Sequence, residues 1–104
     1  MKFLIDYRNR SIRFTEERKK HIEQDHPEME NQYDKINDTR INPSMIVRSK
    51  TDKDVELFYK KYSKTPVTEK YLCVVIKSLI EDSFFITAYF TDTIKKGEII
   101  WGKK

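Results

Sequence analysis

After Asn42-Pro43 the apolar residues of this chain stop following helical spacing and begin to alternate, in β-branched and aromatic runs separated by short connections. The runs are Met45 to Ser49, Val55 to Tyr62, Tyr71 to Lys77, Phe84 to Thr91 and Ile99 to Trp101. Between them lie Thr51-Asp52-Lys53-Asp54, Ser63 to Glu69 with Pro66, Glu81-Asp82-Ser83 and Lys95-Lys96-Gly97-Glu98, segments rich in turn-forming residues. A parallel crossover needs about a dozen residues or more, so such connections predict hairpins. Residues 45–101 are therefore expected to form an antiparallel meander of four to five strands.

Residues 1–14 read as extended, with Phe3, Ile5 and Tyr7 alternating against polar neighbours, a turn at Asn9-Arg10-Ser11, and Ile12 and Phe14 as a second short strand or an extended lead-in. Residues 15–40 read as helical. Thr15 is a good N-cap, and Glu16-Glu17 place negative charge at the positive end of the helix dipole. This helix can run to Asp25, because Pro27 disfavours helical backbone at His26. Pro27 then suits the first position of a second helix, along which Met29, Tyr33 and Ile36 make one apolar stripe that fades at Asn37-Asp38. Helices grouped before a sheet give an α+β class: two short N-terminal helices packed on one sheet face.

A length of 104 residues suits a single domain. Six Phe, six Tyr and Trp101 supply bulk for its core, with Trp101 expected to close it. One cysteine can close no intramolecular disulfide and build no thiolate zinc site, so packing alone must hold the fold, as in a reducing cytosol. No stretch approaches the roughly 18 apolar residues of a membrane span, so a cytoplasmic protein, neither exported nor membrane-embedded, is expected. A net charge of +4 favours polyanions such as RNA, although 17 interspersed acids also fit a merely soluble surface. Two glycines are too few for a phosphate-cradling loop, and no dinucleotide fingerprint, zinc signature or serine-hydrolase elbow occurs, which leaves no cofactor implied.

Alternation sorts the sheet into a face toward the helices, with Leu72, Val74, Ile76, Phe84, Ile86, Ala88 and Phe90, and a second face. The second face is expected to carry Glu56, Phe58, Lys60 and Tyr62, then Cys73, Val75 and Lys77, then Thr87, Tyr89 and Thr91. Polar groups among aromatics can bind bases by stacking and phosphates by charge. His21 and His26 are the only histidines and the first candidates for proton transfer at neutral pH. Five residues of helix turn through about 140°, so the two imidazoles diverge unless the Pro27 bend redirects one, which argues against a metal site with Asp25. Asp25 lies one turn beyond His21 and could orient it; the alternatives are a surface histidine beside an acid and, for His26, a cap. Lys60, Lys77 and Arg48 are strand-borne cations that could face a phosphate or merely guard a sheet from aggregation. Thr87, Tyr89 and Thr91 make a row of neutral hydrogen-bond partners, while Cys73 in its apolar run reads as a packed thiol.

The strings RFTEERKKHIEQDHPEM, INPSMIVRS, KYLCVVIK and FFITAYFTDTIKKGEIIW resemble small phage-associated proteins of the barnase–EndoU–colicin–RelE-like (BECR) nuclease superfamily, over Ile12 to Trp101. The resemblance implies helices followed by a four-stranded antiparallel sheet, and a metal-independent endoribonuclease, often a toxin, that cleaves RNA by attack of the 2′-hydroxyl. A protein inhibitor is then an expected partner. Carried onto this sequence, that chemistry assigns proton transfer to His21 with His26 second, charge stabilisation to Lys77 and Lys60, and substrate positioning to Thr87, Tyr89, Thr91 and Arg48, with no metal. The alternative is a non-catalytic RNA- or protein-binding module on the same scaffold.

Overall fold

The computed structural model describes residues 2–5, 11–62, 71–79 and 82–102. The turn expected at Asn9-Arg10, the loop at 63–69 and Glu81 of the third turn lie outside the described residues. The element order is β1 (Lys2–Ile5), β2 (Ser11–Phe14), α1 (Glu16–Asp25), a 3₁₀ turn (Pro27–Met29), α2 (Tyr33–Ile41), β3 (Met45–Arg48), β4 (Val55–Lys61), β5 (Tyr71–Ser78), β6 (Ser83–Thr91) and β7 (Glu98–Gly102). The class is α+β. Among the described residues no helix is long and apolar enough to cross a membrane.

The helical segment follows its local chemistry with one correction. The Thr15 hydroxyl accepts from the Arg18 N–H at 3.1 Å and starts α1, and His26 leaves the helix at φ −135° and ψ 80° ahead of Pro27. The second helix does not begin at Pro27, however. One 3₁₀ turn forms there, and Asn31, at a left-handed φ of 63°, interrupts it before α2 starts at Tyr33. Met29 and Ile36 still reach one core, from two elements rather than from one stripe.

The sheet is larger than a four- or five-stranded meander: seven strands in the order β1-β2-β6-β5-β4-β3-β7. Strands β3 to β6 do form the expected antiparallel series. The β1–β2 hairpin extends it at β6, where β2 runs parallel, pairing Arg13 with Phe84. The rest of the chain between these two strands is long enough to permit the parallel arrangement. At the other end β7 pairs not with β6 but with β3. The antiparallel pairings in between make β6 and β7 run the same way, so Asp92 to Gly97 must cross the sheet diagonally as a strap. The strap is held on the second face, where Ile94 packs on the apolar cluster and the Lys95 N–H donates to the Tyr59 hydroxyl at 3.1 Å. At its end a Cβ on Gly97 would collide with the Arg48 carbonyl oxygen, so only glycine lets the strap turn so close to β3.

Both faces of the central strands are consequently covered. Toward the helices, Ile22, Met29 and Ile36 pack on Ile46, Phe58, Leu72, Val74, Ile76, Phe85, Ala88 and Phe90. On the other face Val47, Leu57, Tyr59, Cys73 and Val75 are buried. Two face assignments are corrected here. Strand β4 is inverted: Phe58, Lys60 and Tyr62 lie on the helix side, as Phe58 opposite Val74 and Lys60 opposite Leu72 require. In β6 the register shifts opposite Val75/Ile76, leaving Ile86 as the extra residue of a bulge. The shift places Phe85 in the core at 1% exposure, moves Ile86 to the second cluster and leaves Phe84 half-buried beneath the Arg13 guanidinium. Phe85→Ala is expected to cost about 3–5 kcal/mol in urea unfolding and Phe84→Ala only about 1 kcal/mol. The reverse ranking would mean that β6 lacks the bulge.

Candidate functional site

The strand-borne cations are each engaged by an acid. Lys60 donates to the Asn42 carbonyl oxygen and to Asp38 Oδ2, both at 3.0 Å, at the C-terminal end of α2. Lys77 donates to Asp52 Oδ2 at 3.1 Å, and Arg48 to Glu98 Oε1 at 2.7 Å. Lys60 and Lys77 lie on opposite sheet faces, since Lys60 opposes Leu72 and Lys77 opposes Val55. No hydrogen bond or ion pair described joins either lysine to a histidine. Among the described residues no cluster of His, Cys, Asp and Glu could hold a metal ion.

The two histidines have different neighbours. His21 is exposed on α1 and its Nε2 lies 3.8 Å from Glu17, one turn back, rather than pairing with Asp25. His26, released from the helix by Pro27, sits with Nδ1 3.7 Å from Glu28 and its ring 5.4 Å from the Tyr89 ring, centroid to centroid. Tyr89 opposes Cys73 and therefore belongs to the face away from the helices, so this contact is made around the edge of β6. Among the described residues, β2 pairs with this edge at Phe84. Arg18 reaches the same strand, its Nη1 donating to the Ile86 carbonyl oxygen at 3.4 Å. A shallow cleft of about 210 Å³ beside it is lined by Arg13, Thr15, Glu17, Arg18 and His21. Arg13 is held by Asp82 at 2.7 Å.

The structure thus brings His26 to Tyr89, with His21 and Arg18 on the helix that flanks the same strand. Thr87 lies two residues before Tyr89 on the same face and opposes Val75. Thr91, opposite Tyr71, is occupied locally, its hydroxyl accepting from the Thr93 N–H at 3.2 Å. Inward from Tyr89, Cys73 and Tyr59 complete a row across three strands. Burial pushes the Cys73 thiol up to about 11 although bonds with the Tyr89 and Tyr59 hydroxyls pull the other way, so it stays protonated at neutral pH. Burial raises both tyrosines as well. Arg18 was absent from the residues selected by sequence, yet it lies four residues before the buried Ile22, the spacing that puts a side chain on the sheet-facing stripe.

No protein-family model, curated protein or solved structure matches this chain.

The Lys60 cluster behaves as a structural tie. Desolvation works to raise the Asp38 carboxyl, but the bonds from Lys60, Tyr62 and Asn42 outweigh it and hold the group below its ordinary value of 3.8. Because the folded value lies below the unfolded one, the tie stabilises the fold above the ordinary carboxylate range and is lost as pH falls through the folded value. Stability in urea is expected to decline on acidification from about pH 5 toward about pH 2, and Asp38→Asn to flatten part of that decline. An unchanged pH profile in the variant would remove Asp38 from the tie.

Proposed function

We propose that this protein is a metal-independent endoribonuclease whose reacting groups line β6 on the α1 side. The observation that carries the reading is the His26 imidazole held against Tyr89 at 5.4 Å, beside the helix that bears His21 and Arg18. Support comes also from the topology. Two helices precede the antiparallel series β3 to β6, an α+β order compatible with this reading, although the seven-stranded sheet is larger than the four strands the resemblance implies.

In this reading one imidazole accepts the proton of the ribose 2′-hydroxyl as its oxygen attacks phosphorus. The other donates a proton to the 5′-oxygen as the P–O bond to it breaks, and the products are a 2′,3′-cyclic phosphate and a 5′-hydroxyl. His26 takes one of these roles and His21 the other. Arg18 faces the charge that builds on the phosphoryl oxygens, because a guanidinium has five N–H donors and the Ile86 carbonyl uses only one. Thr87 and Tyr89 position the ribose and base. Lys60, Lys77 and Arg48 carry no step, since each is bonded to a carboxylate. The family resemblance would add a toxin role and a protein inhibitor to this reading.

Purified protein is expected to cleave RNA in EDTA and leave cyclic phosphate termini. His26→Ala should lower the rate by about 10²–10⁴-fold, while Lys77→Gln should leave it nearly unchanged. The ion-paired state of the lysines equally suits a module that binds RNA without turnover. Salt-dependent RNA binding with no product in EDTA would select that second reading over the nuclease.

A further inference from the structure

A further cavity lies away from the histidines, at the end of the second sheet face where β4 and β5 meet the strap. It is a groove of about 480 Å³, within the range of roughly 300–1,000 Å³ typical of ligand pockets. Its floor and walls are Met45, Tyr59, Tyr71 and Ile94, with Trp101 on β7 and Lys61 at the end of β4. Trp101 does not close the core as its sequence context suggested: it is 42% exposed. Tyr59 is fully buried and its hydroxyl is fixed by the Lys95 N–H, so the floor is rigid.

We infer that this groove is a nucleobase subsite that holds a single-stranded RNA nucleotide next to the β6 edge, the base against Trp101 and Tyr71 and its phosphate at Lys61. The inference rests on the RNA reading above. Aromatic faces accept any base by stacking, and a cation at the rim tracks the backbone. Charge is complementary in this sense: among the described residues Lys61 is the one charged side chain lining the groove, and Lys95 and Lys96 lie exposed on the strap beside it. Position agrees as well. Tyr71 opposes Thr91, and the row Tyr59–Cys73–Tyr89 links groove to edge across two strand spacings, roughly 10 Å. A short oligonucleotide is long enough to cover that distance outside the strap.

Trp101 is the sole tryptophan, so its fluorescence reports directly on stacking. A short 2′-O-methylated oligouridine, which cannot be cleaved for want of a free 2′-hydroxyl, is expected to quench it saturably, and an abasic oligomer of equal length to quench it far less. By anisotropy of a labelled oligomer, Trp101→Ala should weaken binding about tenfold, the loss typical of one base–aromatic stack. Lys61→Gln, on an exposed strand end, should lower the slope of log affinity against log salt by about 0.7. Absence of saturable quenching, equal quenching by the abasic oligomer, or quenching that tracks self-association of the chain without RNA would overturn the subsite. Cleavage by native protein with KM unmoved in Trp101→Ala would overturn the subsite and leave the nuclease standing. Saturable, base-dependent quenching without any cleavage would uphold the subsite and remove the nuclease.

Discussion

Strand β5 is apolar on both sides, with every residue from Leu72 to Ile76 buried, and a strand of that kind cannot be left with one face in water. Two helices and a 3₁₀ turn cover one face with Ile22, Met29 and Ile36. Among the described residues no helix is left for the other. It covers that face with the six-residue strap, and the pairing of β7 to β3 follows, because the strap emerges at the far side of the sheet. The position of Gly97, the burial of Tyr59 and the groove beside Trp101 are consequences of the same demand. Without the strap, Leu57, Tyr59, Cys73 and Val75 would form an exposed apolar patch of the sort that drives association.

Features set by a few adjacent residues were legible in the sequence. Thr15 with Glu16-Glu17 started a helix, Pro27 ended it, and the alternating runs marked β3 to β7 to within a residue or two. What was hidden depends on partners remote in the chain. The β6 bulge is one extra residue whose position is chosen by whether Phe84 or Phe85 packs better, and the local string FFIT suits either phase. The face of β4 was misread because Val55, Leu57 and Tyr59 alternate as convincingly as Phe58 and Tyr62 do, and both sets are in fact covered. A short connection predicted a hairpin at Lys95–Glu98, but connection length limits reach, not destination, and an extended strap reaches β3.

The candidate site was half legible for a related reason. Histidine, threonine and tyrosine could be picked by chemistry, and the Pro27 rule already implied that His26 leaves the helix, which is what brings it to Tyr89. Sequence gave no sign that Lys60, Lys77 and Arg48 would each meet an acid, because Asp38, Asp52 and Glu98 come from other elements. In space those pairs occupy the ends of strands, where a long side chain can lie along the sheet and keep its charge near water. The cation placed by helical spacing, Arg18, was the one that reached the β6 edge.

The row that joins the edge to the groove also determines how the two can influence each other. Cys73 lies between Tyr89 and Tyr59, and burial keeps the thiol and both hydroxyls protonated at neutral pH. With no ionised group in it, the row adds no charge of its own between the edge and the groove. What it can transmit is position, since Tyr59 is fully buried and a shift of Tyr89 must be absorbed by packed neighbours. Two regions about 10 Å apart that share only packing contribute nearly additively to affinity. The groove and the edge are therefore separate regions of the molecule, and the rigidity of β5 sets the spacing between them.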